Sequence, residues 1–151
     1  MTKEQRLQVF IDGANRFFNE VNKIDVEVCT PYLVENTVPT AHDYTGIIGI
    51  SGPYKGCVYF TAPQILLRHL LLSMDELDNS ENAMLDLTGE IANTIAGNAR
   101  SEYGEEFMIS VPMVMKGAPG EIYLPRDSRS YVIPLRWKKY SAAIVICLRN
   151  D

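Results

Sequence analysis

The feature that most restricts the fold of this chain is an order of elements that occurs twice. Residues 2–22 read as a helix, because Leu7, Phe10, Ile11, Ala14, Phe18 and Val21 recur at helical spacing, and Thr2 with Gln5 can form a capping box. A β-rich run covers residues 24–34, where Val26, Val28 and Thr30 alternate with Asp25, Glu27 and Cys29. Runs over 46–51 and 57–61 flank Gly52-Pro53-Tyr54-Lys55-Gly56, which has hairpin-loop chemistry. Pro63 then opens a short leucine-rich helix to about Met74, with Thr61 and Gln64 at capping positions. Asn79 and Ser80 are candidate caps of a second long helix ending near Tyr103, and strand-like runs follow over 107–115, 131–137 and 142–148. Helix, strand, strand, strand therefore appears in about 3–74 and again in 80–149, with no linker between the copies. The expectation is one α+β domain over 1–151. Two pseudo-symmetric helix-strand-strand-strand units share a mostly antiparallel sheet, with the long helices packed on it. The 15 residues 116–130, with Gly117, Pro119, Gly120 and Pro125, read as a solvated loop long enough to have a function of its own.

Composition excludes several classes. Fourteen basic against nineteen acidic side chains give a formal charge of −5, which argues against binding nucleic acid. Ile65-Leu66-Leu67 and Leu70-Leu71-Leu72 are separated by Arg68 and His69, far short of the roughly 20 apolar residues that span a bilayer. The N-terminal residues lack a basic-then-apolar export signal, so a cytoplasmic location is expected. Cys29, Cys57 and Cys147 are odd in number and lie in apolar surroundings, which reads as reduced core thiols. His42 and His69 have no Cys or carboxylate at metal-ligand spacing. The glycines of residues 46–52 lack the Lys-Ser/Thr of a phosphate loop, and no Ser sits in a nucleophile elbow.

The second long helix carries the informative pattern. At about 100° per residue, Met84, Leu87, Ile91, Ile95 and Asn98 fall within ~80° and define a buried stripe. Opposite them, Asp86, Glu90, Asn93 and Gly97 lie within ~60°, flanked by Gly89 and Ala96. Each glycine inside a helix costs roughly 1 kcal/mol relative to Ala, so Gly89 and Gly97 call for a reason. Two readings fit: a solvated face with tight helix packing, or a ridge that another surface approaches closely.

Asp86-x3-Glu90-x2-Asn93, with Pro112 downstream in Ile109-Ser110-Val111-Pro112, resembles the signature of the CheX/CheC/FliY family of chemotaxis phosphatases. The duplicated order extends the resemblance over about Lys3 to Arg149. The gap of 18 residues between Asn93 and Pro112 is a few shorter than the family's. The resemblance implies hydrolysis of the aspartyl phosphate on a CheY-like response-regulator receiver domain. No cofactor of the chain's own is implied, because magnesium resides on the receiver. It assigns Asn93 to orienting the attacking water and Glu90 to the receiver's lysine, with Asp86, Gly89 and Gly97 at the partner-binding face. Pro112 is expected to shape a strand rather than do chemistry. The alternative is a non-catalytic module of the same fold that binds receivers or flagellar-switch proteins. A homodimer is also expected, with residues 116–130 as a candidate for exchanged contacts.

Asp12 and Asn15 copy the spacing of Glu90 and Asn93 in the first helix. Matching Leu7, Phe10, Ala14 and Phe18 to Met84, Leu87, Ile91 and Ile95 sets an offset of 77. At that offset Glu90 corresponds to Gly13, Asn93 to Arg16 and Asp86 to Val9, so the lookalike pair is out of phase by one residue. One site per chain is the expectation, the CheX-like pattern.

Overall fold

The structure, a computed structural model, describes residues 3–22, 26–36, 40–117 and 129–150. The elements are α1 (Lys3–Asn22), β1 (Glu27–Val28), β2 (Tyr32–Glu35), β3 (Tyr44–Ser51), β4 (Tyr54–Ala62) and α2 (Gln64–Ser73), then α3 (Glu81–Tyr103), β5 (Met108–Ile109), β6 (Met113–Lys116), β7 (Arg129–Trp137) and β8 (Tyr140–Asn150). Two expected strands are each broken in two, at equivalent places. Cys29–Pro31 separates β1 from β2, and Ser110–Pro112 separates β5 from β6. In both, a proline that cannot donate to a ladder immediately precedes the second short strand. Thr2, Ile24, Asp25 and most of the 116–130 connection lie outside the described residues.

All pairings are antiparallel, in the order β1-β7-β8-β4-β3-β5, with β2 also on β7 and β6 also on β3. The halves are thereby interlocked. The edge strands of the first half pair with the hairpin of the second, and those of the second with the hairpin of the first. At the centre β4 meets β8, with Cys57 opposite Cys147.

Burial on both faces explains the near-continuous apolar runs of β4 and β8. Val58, Phe60, Ile144 and Ile146 join the core built with α1, α2 and α3, while Cys57, Tyr59, Val145 and Cys147 form a second cluster on the alternate residues. Cys29 departs from the expectation of a core thiol: it is exposed in the break after β1, where the alternation no longer buries it.

Capping is partly non-local. Ser80 Oγ accepts from the Ala83 N–H at the start of α3 (3.2 Å). The start of α2 is served instead by Asp43, whose carboxylate accepts from the Gln64 N–H at 2.8 Å. Thr61, expected at that cap, donates to the Tyr44 carbonyl and accepts from the His42 N–H.

Candidate functional site

Helix α3 buries more of its circumference than its apolar stripe requires. Met84, Leu87, Ile91 and Ile95 are buried as expected, and Thr88, Gly89, Ala92, Ala96 and Ala99 are buried beside them. At about 100° per residue these nine positions occupy an arc of about 200°. Within that arc half-buried Asn98 faces α1, donating from Nδ2 to the Val9 carbonyl at 3.1 Å. In the remaining arc stand Asp86, Glu90 and Asn93, all exposed, and half-buried Gly97. Among the described residues, no hydrogen bond or ion pair holds the side chains of Asp86, Glu90 and Asn93. The ridge thus offers two carboxylates and an amide with their donor and acceptor capacity unspent.

The glycines differ. A Cβ at Gly89 would lie 2.9 Å from Val114 Cγ1 and 3.6 Å from Pro112 Cβ. The surface that approaches Gly89 therefore belongs to this chain. Gly89, expected at the partner face, is instead a packing position that lets β6 lie close on α3. A Cβ at Gly97 would meet nothing within 4 Å among the described residues.

Sequence reasoning missed how the segment before β6 is held. Ser110 donates its N–H to the Gly49 carbonyl at 2.9 Å, and its hydroxyl accepts from the Gly49 N–H at 2.8 Å and donates to the Val111 carbonyl. This clamp runs the segment along α3, with Ile109 beside Gly97 and Pro112 beside Gly89. Val111, between them, is 84% exposed. A serine followed by an apolar residue and proline inside a strand-like run was the available signal.

The phase assigned to α1 is wrong by one residue. Its buried residues are Val9, Phe10, Gly13, Ala14, Phe17 and Phe18, which match Leu87, Thr88, Ile91, Ala92, Ile95 and Ala96 at an offset of 78. Asp12 and Asn15 are therefore in register with Glu90 and Asn93, and Gln8 with Asp86. Apolar matching favoured 77 because Arg6 and Gly13 stand where Met84 and Ile91 stand, hiding the true stripe. Gly13 is buried because α1 crosses α3 there, its Cβ position 3.0 Å from the Ile95 Cα. The two pairs still differ in state. Asp12 accepts from the Gln8 amide at 2.8 Å, and Asn15 Oδ1 is buried with no hydrogen-bond partner among the described residues.

Three helices packed on an open, antiparallel eight-stranded sheet make the architecture of the CheX/CheC-like chemotaxis proteins. Within that class the chain belongs to the CheX family: the family model described as Chemotaxis phosphatase CheX matches residues 44–136. A CheC-like superfamily protein from Shewanella sp. PV-4 is 25% identical with a TM-score of 0.78, covering 99% of this chain and 100% of that one. CheX from Vibrio vulnificus is 22% identical with a TM-score of 0.79, covering 96% and 99%. CheX from Borrelia burgdorferi, solved in complex with CheY, BeF3 and magnesium, is 16% identical with a TM-score of 0.74, covering 95% and 97%. No curated protein matches the sequence.

Proposed function

We propose that this chain is a phosphatase acting on the aspartyl phosphate of a CheY-like receiver domain, in chemotaxis or a related two-component pathway. The observation that carries the reading is the exposed Glu90–Asn93 pair on one ridge of α3, with no partner for either side chain among the described residues. Family membership supports it, as does the Borrelia CheX structure, whose partner is CheY.

Hydrolysis of an acyl phosphate needs mainly in-line placement of water and stabilisation of charge. The receiver brings its own magnesium, lysine and phosphorylated aspartate. Asn93 then has one task, to hold a water on the side of phosphorus opposite the aspartyl oxygen. Its Oδ1 accepts a hydrogen bond from the water and its Nδ2 donates toward the phosphoryl oxygens. Water oxygen bonds to phosphorus as the bond to the aspartyl oxygen breaks; the products are the aspartate carboxylate and inorganic phosphate, which carries away or releases the proton. Glu90, one turn earlier on the same ridge, engages the receiver's lysine through a charge-assisted contact. Asp86 extends the docking ridge toward the start of α3.

The direct test is the decay of phosphate on each receiver of the source cell. The chain should accelerate decay on at least one, and the Glu90→Ala, Asn93→Ala double variant should not. Acceleration that persists in the double variant would overturn the assignment, and none by the wild type would favour a binding module. A cytoplasmic location follows from the receiver as substrate. Among the described residues no helix is long and apolar enough to cross a membrane.

A further inference from the structure

Of the three glycines in the long helices, Gly13 and Gly89 are accounted for by contacts within the chain and Gly97 is not. Gly13 lies where α1 crosses α3, and Gly89 lies under Val114 and Pro112. Among the described residues Gly97 has open space where a Cβ would stand, and it has no left-handed φ that would demand glycine. It lies within α3, where nearly every other residue would favour the helix more. Its bare backbone forms one wall of a groove of about 320 Å³, lined also by Arg100, Ser101, Gly104, Glu105 and Ile109. The groove is continuous with the ridge, since Gly97 is four residues beyond Asn93, about 6 Å along the helix axis. Ile109 supplies an apolar wall, while Arg100 and Glu105 place opposite charges among the lining residues.

We infer that this groove seats a surface side chain of the receiver domain, one with an apolar body, and that Gly97 is bare to admit it. The inference rests on the receiver being the partner and adds where that partner is gripped. The occupant is the receiver rather than a second copy of the chain because the groove continues the Glu90–Asn93 ridge. A receiver placed with its phosphoryl group at Asn93 overhangs it. The groove then acts on docking: filling it weakens association and leaves the geometry of the water untouched.

Gly97→Met tests this, because methionine favours the helix and would occupy the groove from the protein's own side. Binding to a receiver activated with beryllofluoride should weaken at least 10-fold. KM for the phosphorylated receiver should rise in parallel, kcat should change little, and the thermal midpoint should hold or rise. Unchanged binding in Gly97→Met would overturn the inference, as would a wild-type chain that binds none of the cell's activated receivers. If the wild type binds a receiver, Gly97→Met does not, and neither accelerates phosphate loss, the groove stands and the phosphatase reading falls. Dimerisation lost in Gly97→Met with receiver binding intact would assign the groove to a second copy and overturn the inference.

Discussion

At the scale of single residues, the three cysteines show how alternation and its breaks decide chemistry. Cys57 and Cys147 face each other across β4 and β8, and the Asn36 amide donates to Cys147 Sγ at 3.4 Å. Burial, and secondarily the neighbouring Cys147, pushes the Cys57 thiol up to about 12. Thiolates are the reactive form, so Cys57 should be inert; Cys147 is shielded by burial, while exposed Cys29 is accessible. A chromogenic disulfide reagent at pH 8 should titrate one thiol in the native chain and all three in denaturant; rapid native reaction of all three would contradict the packing. The raised value has a stability consequence. The unfolded thiol ionises near its ordinary value of 9.0 and the folded one does not. The contribution of Cys57 is therefore complete below about pH 9 and falls as pH rises toward about 12. Unfolding midpoints measured in denaturant across that range should decline, and Cys57→Ala should flatten the decline. The exposure of Cys29 was not legible from alternation alone, since the strand breaks after Val28 and Cys29 falls in the break.

At the scale of elements, the helices were legible because their apolar spacing is local, and the ridge on α3 was visible for the same reason. What escaped depended on distant residues: the Asp43 cap of α2, the Ser110–Gly49 clamp, and the true phase of α1. The phase error came from Arg6 and Gly13. Arg6 stands over the Tyr54 ring at 5.5 Å where α3 has a methionine, and Gly13 is the helix crossing. Spacing could not show either. Gly89 and Gly97 were indistinguishable as letters and are opposite in structure. Gly89→Leu should cost about 1–3 kcal/mol, because its branches meet Pro112 and Val114. Gly97→Ala should stabilise by up to about 1 kcal/mol. Thermal melts followed at the single Trp137 would separate them, and equal shifts would refute the distinction. The first-helix pair is expected to be inactive because of its state rather than its phase: Asp12 is engaged by Gln8 and Asn15 Oδ1 is buried. Asp12→Ala with Asn15→Ala should leave dephosphorylation nearly unchanged. Abolished activity with an unchanged melt would make α1 part of the machinery.

At the scale of the whole molecule, the twofold repeat was legible, but the exchange of edge strands between halves was not. Strand pairing is set by contacts far apart in sequence, and either half could have kept its own edge. The exchange leaves β2 and β6 at the two outer edges, with Tyr32, Leu33, Met113 and Val114 exposed. Open edges of this kind invite pairing with another chain, so a homodimer is the expected assembly. Sedimentation equilibrium at micromolar concentration should give twice 17.0 kDa; a stable 17.0 kDa species would count against it. The frame matters for function because it holds one exposed amide and one exposed carboxylate, a turn apart, with no competing partner among the described residues. In the proposed mechanism Asn93 acts in the chemical step and Glu90 in docking. The measurement that tests that division most directly is the dependence of dephosphorylation rate on receiver concentration for the two single variants. Asn93→Ala should lower kcat on the order of 100-fold with KM nearly unchanged, the loss of a positioning effect worth several kcal/mol. Glu90→Ala should raise KM as its main effect, with a smaller loss in kcat. Wild-type kcat in Asn93→Ala, in a folded chain that still binds the receiver, would contradict the account.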